Sequence, residues 1–322
     1  MQSYWIVPDG KSIKLELREA PVPQPKTGEL LVKVAASSFN RGELIPGHGV
    51  NGVTAKPGGG ECAGIVEKVG DNARDFQSGQ RVMGRCGGGF SEYALMDARE
   101  AMPVPDRLSW EEAAATPLVF LVVHDMLIGQ GGLQRGEWLL VTSISSGVGV
   151  AALQTAKALG AKVIGTSGSA DKLAKLKSMG LDVGIETRKG NFYDAVMAAT
   201  DKKGVDLIVN NVGGTVFAEC VRLLAFEGRL ATVGYLDHTM TSEIDLDALH
   251  AKRLKLFGVS NKLRNAAQRS VTVRAFEQDV LPFIANGTIK PVIDRVFPFN
   301  ELPAALAYVL SNQTVGKVIA RT

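Results

Sequence analysis

Between Glu137 and Val259 short apolar runs alternate with stretches of helical period. Strands are predicted at 137–143, 162–166, 205–210, 229–234 and 254–259, and helices at 148–159, 170–179, 191–200, 214–226 and 244–251. The runs carry Val, Ile and Leu on both faces, so each strand needs cover on both sides. A helix between consecutive strands makes the connection a crossover, and crossovers give parallel pairing. The arrangement that buries all of these faces is a doubly wound α/β sheet.

The rest of the chain has another texture. The first ~120 residues read as β-rich and turn-rich. GELLVKVAASS (28–38), CAGIVEKVG (62–70) and FSEYALM (90–96) are apolar runs between turn residues, while APVPQP (20–25) and KPGGGE (56–61) read as loops. At Ser109 a helical stretch, LSWEEAAATPLVF, opens with a capping box formed with Glu112. The tail, 262–322, holds a long helix in NAAQRSVTVRAFEQDVLPFIANG, a strand in VIDRVFPF and a helix opened by Asn300. At 322 residues two domains are expected.

Composition removes several classes of function. The net charge of +3 argues for neither nucleic acid nor an anionic membrane as partner. No apolar run reaches the ~18 residues of a membrane span. MQSYWIVPDGK lacks the basic and apolar regions of a signal peptide. Cys62, Cys86 and Cys220 are odd in number and far apart, so neither a disulfide framework nor a cysteine-rich metal site is expected. A cytoplasmic protein fits these features.

The turn after the first strand of the alternating region reads SISSGVG (143–149). A pyrophosphate site needs backbone that approaches closely and a helix N-terminus aimed at the ligand. The glycine places of G-x-G-x-x-G are filled here by Ile144, Ser146 and Gly149. Ser146 replaces the central glycine and offers a hydroxyl to a phosphate oxygen, while Gly147 and Gly149 allow close packing. Ser145, Ser146, Gly147 and Val148 are the candidate contacts. The same loop also suits a small-residue turn with no ligand, and the surrounding alternation favours the dinucleotide.

The end of the second strand bears on which dinucleotide. NAD sites place an acid about 20 residues beyond the glycines to hold the ribose 2′-hydroxyl. VIGTSGSADK puts Thr166, Ser167, Gly168 and Ser169 there, followed by Lys172, with Arg188 after the next short strand. Hydroxyls and cations suit a 2′-phosphate, so NADPH is expected. Asp171 is contrary evidence, although it also suits a helix first turn. Asn211 and Val212 in VDLIVNNVGG, Gly234 and Tyr235 in ATVGY, and Ser260 and Asn261 in FGVSN end the following strands and are expected to line the same crevice.

These segments together resemble the medium-chain dehydrogenase/reductase superfamily, in its zinc-free NADPH:quinone oxidoreductase branch. The resemblance runs nearly end to end, through SSFNRGE, GGECAGIVEKVG, SGQRVMG, GGFSEYALM, LSWEEAAATPLVF, the stretch around SISSGVG, VDLIVNNVGG, GRLATVGY, NGTIKPVIDRVFPFNELPAAL and VGKVI. It implies a GroES-like β domain, 1–120 with 262–322, and a Rossmann-type doubly wound parallel-sheet domain, 121–261. It also implies a homodimer, and it adds Lys317 of VGKVI to the cofactor contacts. Two departures stand out. The branch's Ala-x-x-Gly-x-x-Gly appears as Ser143, Ser146 and Gly149, and a tyrosine near the 2′-phosphate is replaced by Thr187.

Zinc-bearing members of the superfamily hold their metal by three protein ligands. Their cysteine falls at Asn40, their histidine at Gly60, and their third ligand within Pro117–Phe120. No metal is therefore expected. Hydride transfer from NADPH to a small-molecule quinone or α,β-unsaturated carbonyl compound needs no zinc, only donors to the oxygen that gains charge. The Asn40 NH₂ is the candidate donor, and His48 and Phe120 are candidate substrate contacts. A short-chain dehydrogenase is excluded because no tyrosine has lysine four residues on. No G-x-S-x-G elbow supports a serine hydrolase. The alternatives are a non-catalytic NADPH-binding protein, crystallin-like or RNA-binding, and a zinc-free alcohol dehydrogenase-like reductase of another carbonyl substrate.

Overall fold

The computed structural model describes residues 1–10, 12–44, 54–73 and 75–322. Among them the strands are β1 (Gln2–Asp9), β2 (Ser12–Glu19), β3 (Glu29–Ser38), β4 (Lys56–Pro57), β5 (Glu61–Val69), β6 (Arg81–Gly87) and β7 (Tyr93–Pro103). The second group is β8 (Trp138–Val141), β9 (Lys162–Ser167), β10 (Val183–Glu186), β11 (Val205–Asn210), β12 (Leu224–Thr232), β13 (Lys255–Gly258), β14 (Ile293–Pro298) and β15 (Lys317–Arg321). The chain folds as two compact units, one of residues 1–121 with 262–322, the other of residues 122–261.

In the second unit six strands lie in the order β10-β9-β8-β11-β12-β13, every neighbouring pair parallel. Counted within the unit this is 3-2-1-4-5-6, the dinucleotide-fold order whose direction reverses beside the first strand. The core explains why the pairing holds. Leu140, Ile164, Val205 and Ile208 from the sheet are buried with Val216, Cys220 and Val221 of the helix Gly214–Leu223.

The first unit is antiparallel in the main. A six-stranded sheet runs β14-β15-β3-β5-β6-β7, and a further pairing of β3 with β7 closes it on itself. That closure removes edges that would otherwise be open. The tail joins at the other end, where β15 pairs antiparallel with β3 and parallel with β14. A smaller sheet, β2-β1-β4, packs Tyr4 and Ile6 with Phe39, Phe90 and Leu302. The rings of Phe39 and Phe90 are 4.5 Å apart.

Several expectations need correction, mostly because of proline. The stretch from Ser109 is two helices, Trp110–Ala114 and Pro117–His124. Pro117 has no N–H to continue the first but suits the start of the second. The capping box is present, Ser109 Oγ accepting from Glu112 N and the Glu112 carboxylate from Ser109 N. The long tail helix breaks at Val280, before Pro282, into Ala266–Asp279 and Leu281–Ala285. Asn300 lies inside a 3₁₀ turn, Phe299–Glu301, and does not cap the helix Leu302–Leu310. The helix expected at 214–226 ends at Leu223, because Leu224 becomes extended and pairs with Val205. Lys56 and Pro57, expected in a loop, pair with β1. Among the described residues no helix is long and apolar enough to cross a membrane.

Candidate active site

In the second unit the turn after β8 leads into the helix Gly147–Ala158, with Ser146 as N-cap in extended conformation. Ser146 Oγ accepts from Gly149 N at 3.1 Å. The cap uses a lone pair of the hydroxyl and leaves its proton to donate. Gly149 is required sterically: a Cβ there would lie 2.4 Å from the Ile144 carbonyl oxygen. Gly147 and Val148 are half-buried beside the helix N-terminus, and Ser145 is buried. This end has the backbone donors and the dipole of an anion site.

At the end of β9, Thr166 and Ser167 are buried, and Thr166 Oγ1 accepts from Ser143 N. The Thr166 hydroxyl holds the loop from inside. Gly168 and Ser169 are half-buried, and Ser169 caps the helix Ala170–Lys177 by accepting from Lys172 N. Arg188 is exposed and folded across this end, with Nη2 donating to Gly168 O at 3.1 Å. A side chain at Gly168 would collide with Arg188, 2.6 Å from its Cγ and Nε. Three hydroxyl-bearing residues, a bare glycine and Arg188 thus meet where NAD proteins carry an acid.

The ends of β8 and β11 are laced together at the reversal point. Thr142 Oγ1 accepts from Asn211 N at 2.9 Å, and Asn211 Nδ2 donates to Thr142 O at 3.0 Å. Asn210 is fully buried. Its Oδ1 accepts from Val212 N and Gly213 N, and its Nδ2 donates to Gly213 O. The Asn211 side chain therefore braces the loop. Half-buried Val212 and Gly234 and exposed Tyr235 stand at the strand ends. Gly234 rests on the Asn211 carbonyl, 3.0 Å from the place of its absent Cβ. Ser260 and Asn261 follow β13. Thr142, Asn210 and Asp237 escaped the sequence reading. Asp237 accepts from Thr215 N, Thr215 Oγ1 and Thr239 N, which fixes the turn around Gly213. The available signal was a polar residue directly after each apolar run.

In the first unit three neighbouring strands, β15, β3 and β5, bring Lys317, Asn40 and Glu61 together. Lys317 is 5% exposed and Glu61 wholly buried. Lys317 Nζ donates to Phe39 O at 3.0 Å, Asn40 Oδ1 at 2.7 Å and Glu61 Oε1 at 3.0 Å. An ammonium has three N–H bonds, and all are used here. Lys317, expected from VGKVI to meet the dinucleotide, is here a buried charge whose three N–H bonds stay within its own unit.

Glu61 Oε1 also accepts from Ser38 Oγ and from Asn40 Nδ2, the latter at 2.7 Å. Its Oε2 accepts from Leu118 N at 2.7 Å, in the first turn of the helix Pro117–His124. The orientation of the Asn40 amide follows, since the reverse would set NH₂ against an ammonium and oxygen against a carboxylate. The NH₂ expected to meet a substrate oxygen is engaged with Glu61 and, at 3.5 Å, with Ser38 O. Phe120, expected to touch substrate, is 1% exposed and belongs to the packed interior. His48 lies outside the described residues.

Glu43, absent from the sequence reading, completes the cluster. It is half-buried one turn beyond Asn40, and its Oε1 accepts from Asn40 N at 3.0 Å. Burial pushes its carboxyl up to about 7. The Asn40 N–H lowers it, nearby Glu61 raises it, and Lys317 and Lys56 lower it. The two acids could have been found as charges flanking or interrupting apolar runs.

Residues 26–106 match the family model described as alcohol dehydrogenase GroES-like domain, and residues 147–274 that described as zinc-binding dehydrogenase. Human quinone oxidoreductase is 30% identical over 317 residues, covering 95% of this chain and 93% of the human protein. The chain belongs to the quinone oxidoreductase branch of the medium-chain dehydrogenase/reductase superfamily. Within this superfamily a mycobacterial protein solved in complex with NADPH superimposes with a TM-score of 0.87 at 26% identity, covering all of both chains. The CurK enoyl reductase superimposes with a TM-score of 0.85 at 25% identity, over 100% of this chain and 99% of that one. A phenolphthiocerol/phthiocerol polyketide synthase subunit of Mycobacterium tuberculosis is 29% identical over 96% of this chain. The chain spans only 14% of that subunit's length.

The donor set of this medium-chain reductase does not fit zinc. Gly60 has no side chain, the Asn40 amide is held by Lys317 and Glu61, and Pro117–Phe120 are apolar. Among the described residues no group of three His, Cys, Asp or Glu side chains is placed to hold a metal ion.

Proposed function

We propose that the chain is an NADPH-dependent, zinc-independent reductase of quinones or α,β-unsaturated carbonyl compounds. On this reading the unit 122–261 holds the dinucleotide. The carrying observation is the end of β9, where Arg188 lies over Gly168 beside Ser169. A 2′-phosphate gains charge-assisted hydrogen bonds from a guanidinium, while NADH offers it only a neutral 2′-hydroxyl. The mycobacterial relative solved with NADPH supports the same choice of cofactor. When bound, that cofactor supplies the hydride. The helix Gly147–Ala158 meets its pyrophosphate, and the braced loops after β11 and β12 orient it.

For the acceptor, the human quinone reductase and the CurK enoyl reductase point to an electrophilic carbon conjugated with a carbonyl. This acceptor needs no Lewis acid to become a hydride acceptor. A cytoplasmic homodimer joined through the edge strand β13 belongs to the same proposal. Light scattering at micromolar concentration should give twice the chain mass.

The test is a fluorescence titration with NADPH and NADH, followed by turnover on 1,2-naphthoquinone, 1,4-benzoquinone and 2-cyclohexen-1-one. NADPH should bind at least 10-fold more tightly. Arg188→Ala or Lys172→Ala should weaken NADPH and leave NADH nearly unchanged. Equal affinities overturn the cofactor assignment. Tight NADPH binding with no turnover on a broad panel leaves the non-catalytic reading in its place.

A further inference from the structure

The turn after β8 holds a conformation that its sequence does not favour. Ser143 has a φ of 54°, in the left-handed region. A residue with a Cβ enters that region at a steric cost and stays only where its surroundings hold it. Glycine would enter it freely. The groups that hold Ser143 come from the strand ends on either side.

On one side the chain is pinned just before it. Thr142 N donates to Val209 O at 3.0 Å, and Thr142 Oγ1 accepts from Asn211 N. On the other side stands the end of β9. Ser143 N donates to Thr166 Oγ1 at 3.3 Å, and Ile144 N donates to Thr166 O at 2.9 Å. The Ile144 side chain lies over Gly165, where a Cβ would come within 2.4 Å of Ile144 Cδ1. Gly165 and Thr166 thus receive both residues of the turn, one by leaving space and the other by accepting two N–H groups.

The constraint carries forward along the chain. Ser143 O accepts from Ser146 N at 3.1 Å, and Ser146 Oγ accepts from Gly149 N at 3.1 Å. Ser146 is the N-cap of the helix Gly147–Ala158. A line of hydrogen bonds therefore runs from buried Thr166 through Ser143 to Ser146 and the helix.

We propose that Thr166 is a positioning residue for the dinucleotide pyrophosphate: its hydroxyl keeps Ser143 left-handed and so aims Ser146 and the N-terminus of the helix Gly147–Ala158. The inference rests on the functional reading above and deepens it. It separates two roles at the end of β9. Arg188 serves the 2′-phosphate that only NADPH carries, while Thr166 serves the pyrophosphate that both dinucleotides share. Loss of the Thr166 hydroxyl then weakens NADPH and NADH by the same factor, unlike Arg188→Ala.

The probes are NADPH, NADH and ADP-ribose, which keeps the pyrophosphate and lacks nicotinamide. Each is titrated calorimetrically into the full chain, with the folding of every variant checked by circular dichroism and urea midpoint. Thr166→Val keeps the shape of the side chain and removes the acceptor. It should weaken all three probes about 10-fold, while Thr166→Ser should stay within about twofold. On a Ser143→Gly background the loss from Thr166→Val should shrink to about threefold, because glycine needs less holding. Ser143→Val reaches the same turn from the other end. A β-branched residue is a poor occupant of the left-handed region, so the same uniform loss is expected. Unchanged binding in Thr166→Val overturns the proposal. A loss confined to NADPH does so too, since it would make Thr166 a direct contact of the 2′-phosphate. Effects at 143 and 166 that simply add remove the link between them. If Thr166→Val does not fold, Ser143→Val decides, and wild-type affinity there overturns the proposal. A wild type that binds none of the probes overturns the functional reading, and the positioning role with it.

Discussion

The ammonium of Lys317 gives every N–H it has to its own unit, so its removal strands the buried Glu61 carboxylate. Breaking one side of a buried pair costs about 3–5 kcal/mol, whereas replacing both sides is much milder. Lys317→Met should accordingly lose about 3–5 kcal/mol in urea unfolding, and adding Glu61→Gln should restore a measurable part. Additive losses would remove the pair as the cause. Glu43 adds a pH dependence of opposite sense to the usual carboxylate. Its folded value is raised to about 7, so between the ordinary carboxylate value and 7 the folded state holds more protons than the unfolded. The stability it contributes is present at acid pH and is lost as pH rises through about 7. Comparing urea midpoints at pH 5.5 and 8, wild type should lose more stability on going to pH 8 than Glu43→Gln does.

The helix Gly147–Ala158 depends on the absence of a side chain. A Cβ on Gly149 would meet the Ile144 carbonyl carbon and oxygen at 2.6 and 2.4 Å, and neither can swing aside as a side chain would. Gly149→Ala should cost about 1–3 kcal/mol by overpacking and weaken NADPH at least 10-fold by tilting the anion-binding end. Unchanged affinity with lowered stability would separate this glycine from the ligand. This unit was readable because strand and helix periods are local, and a parallel sheet buried on both faces writes itself as continuous apolar runs. Leu224–Phe226 misled for the opposite reason, since pairing of Leu224 with Val205 outweighed helical period. The other unit was far less legible. β15 meets β3 across most of the chain, and only that pairing brings Lys317 to Asn40 and Glu61. Nothing local in VGKVI reports that its lysine turns inward, and nothing in FNRGEL reports that burial raises the Glu43 carboxyl.

At the scale of the molecule, each unit has buried clusters of its own. A ligand stabilises the state that binds it by about 2.7 kcal/mol at a hundred times its Kd. If the unit 122–261 holds NADPH through the ends of β8, β9 and β11, the protection should be greatest there. Hydrogen exchange with saturating NADPH should slow at the amides of β8, β9 and β11 by up to about 100-fold, and much less at β5 and β6. The effect with NADPH should exceed that with NADH at equal concentration, because only NADPH gains the contact at Arg188. In Arg188→Ala the excess should vanish while the NADH response stays, since that change removes a guanidinium from a surface turn and leaves the sheet intact. Equal protection of both units by NADPH would contradict a cofactor held by one of them. An excess that survives in Arg188→Ala would move the recognition of the 2′-phosphate to Lys172 and the hydroxyls beside it.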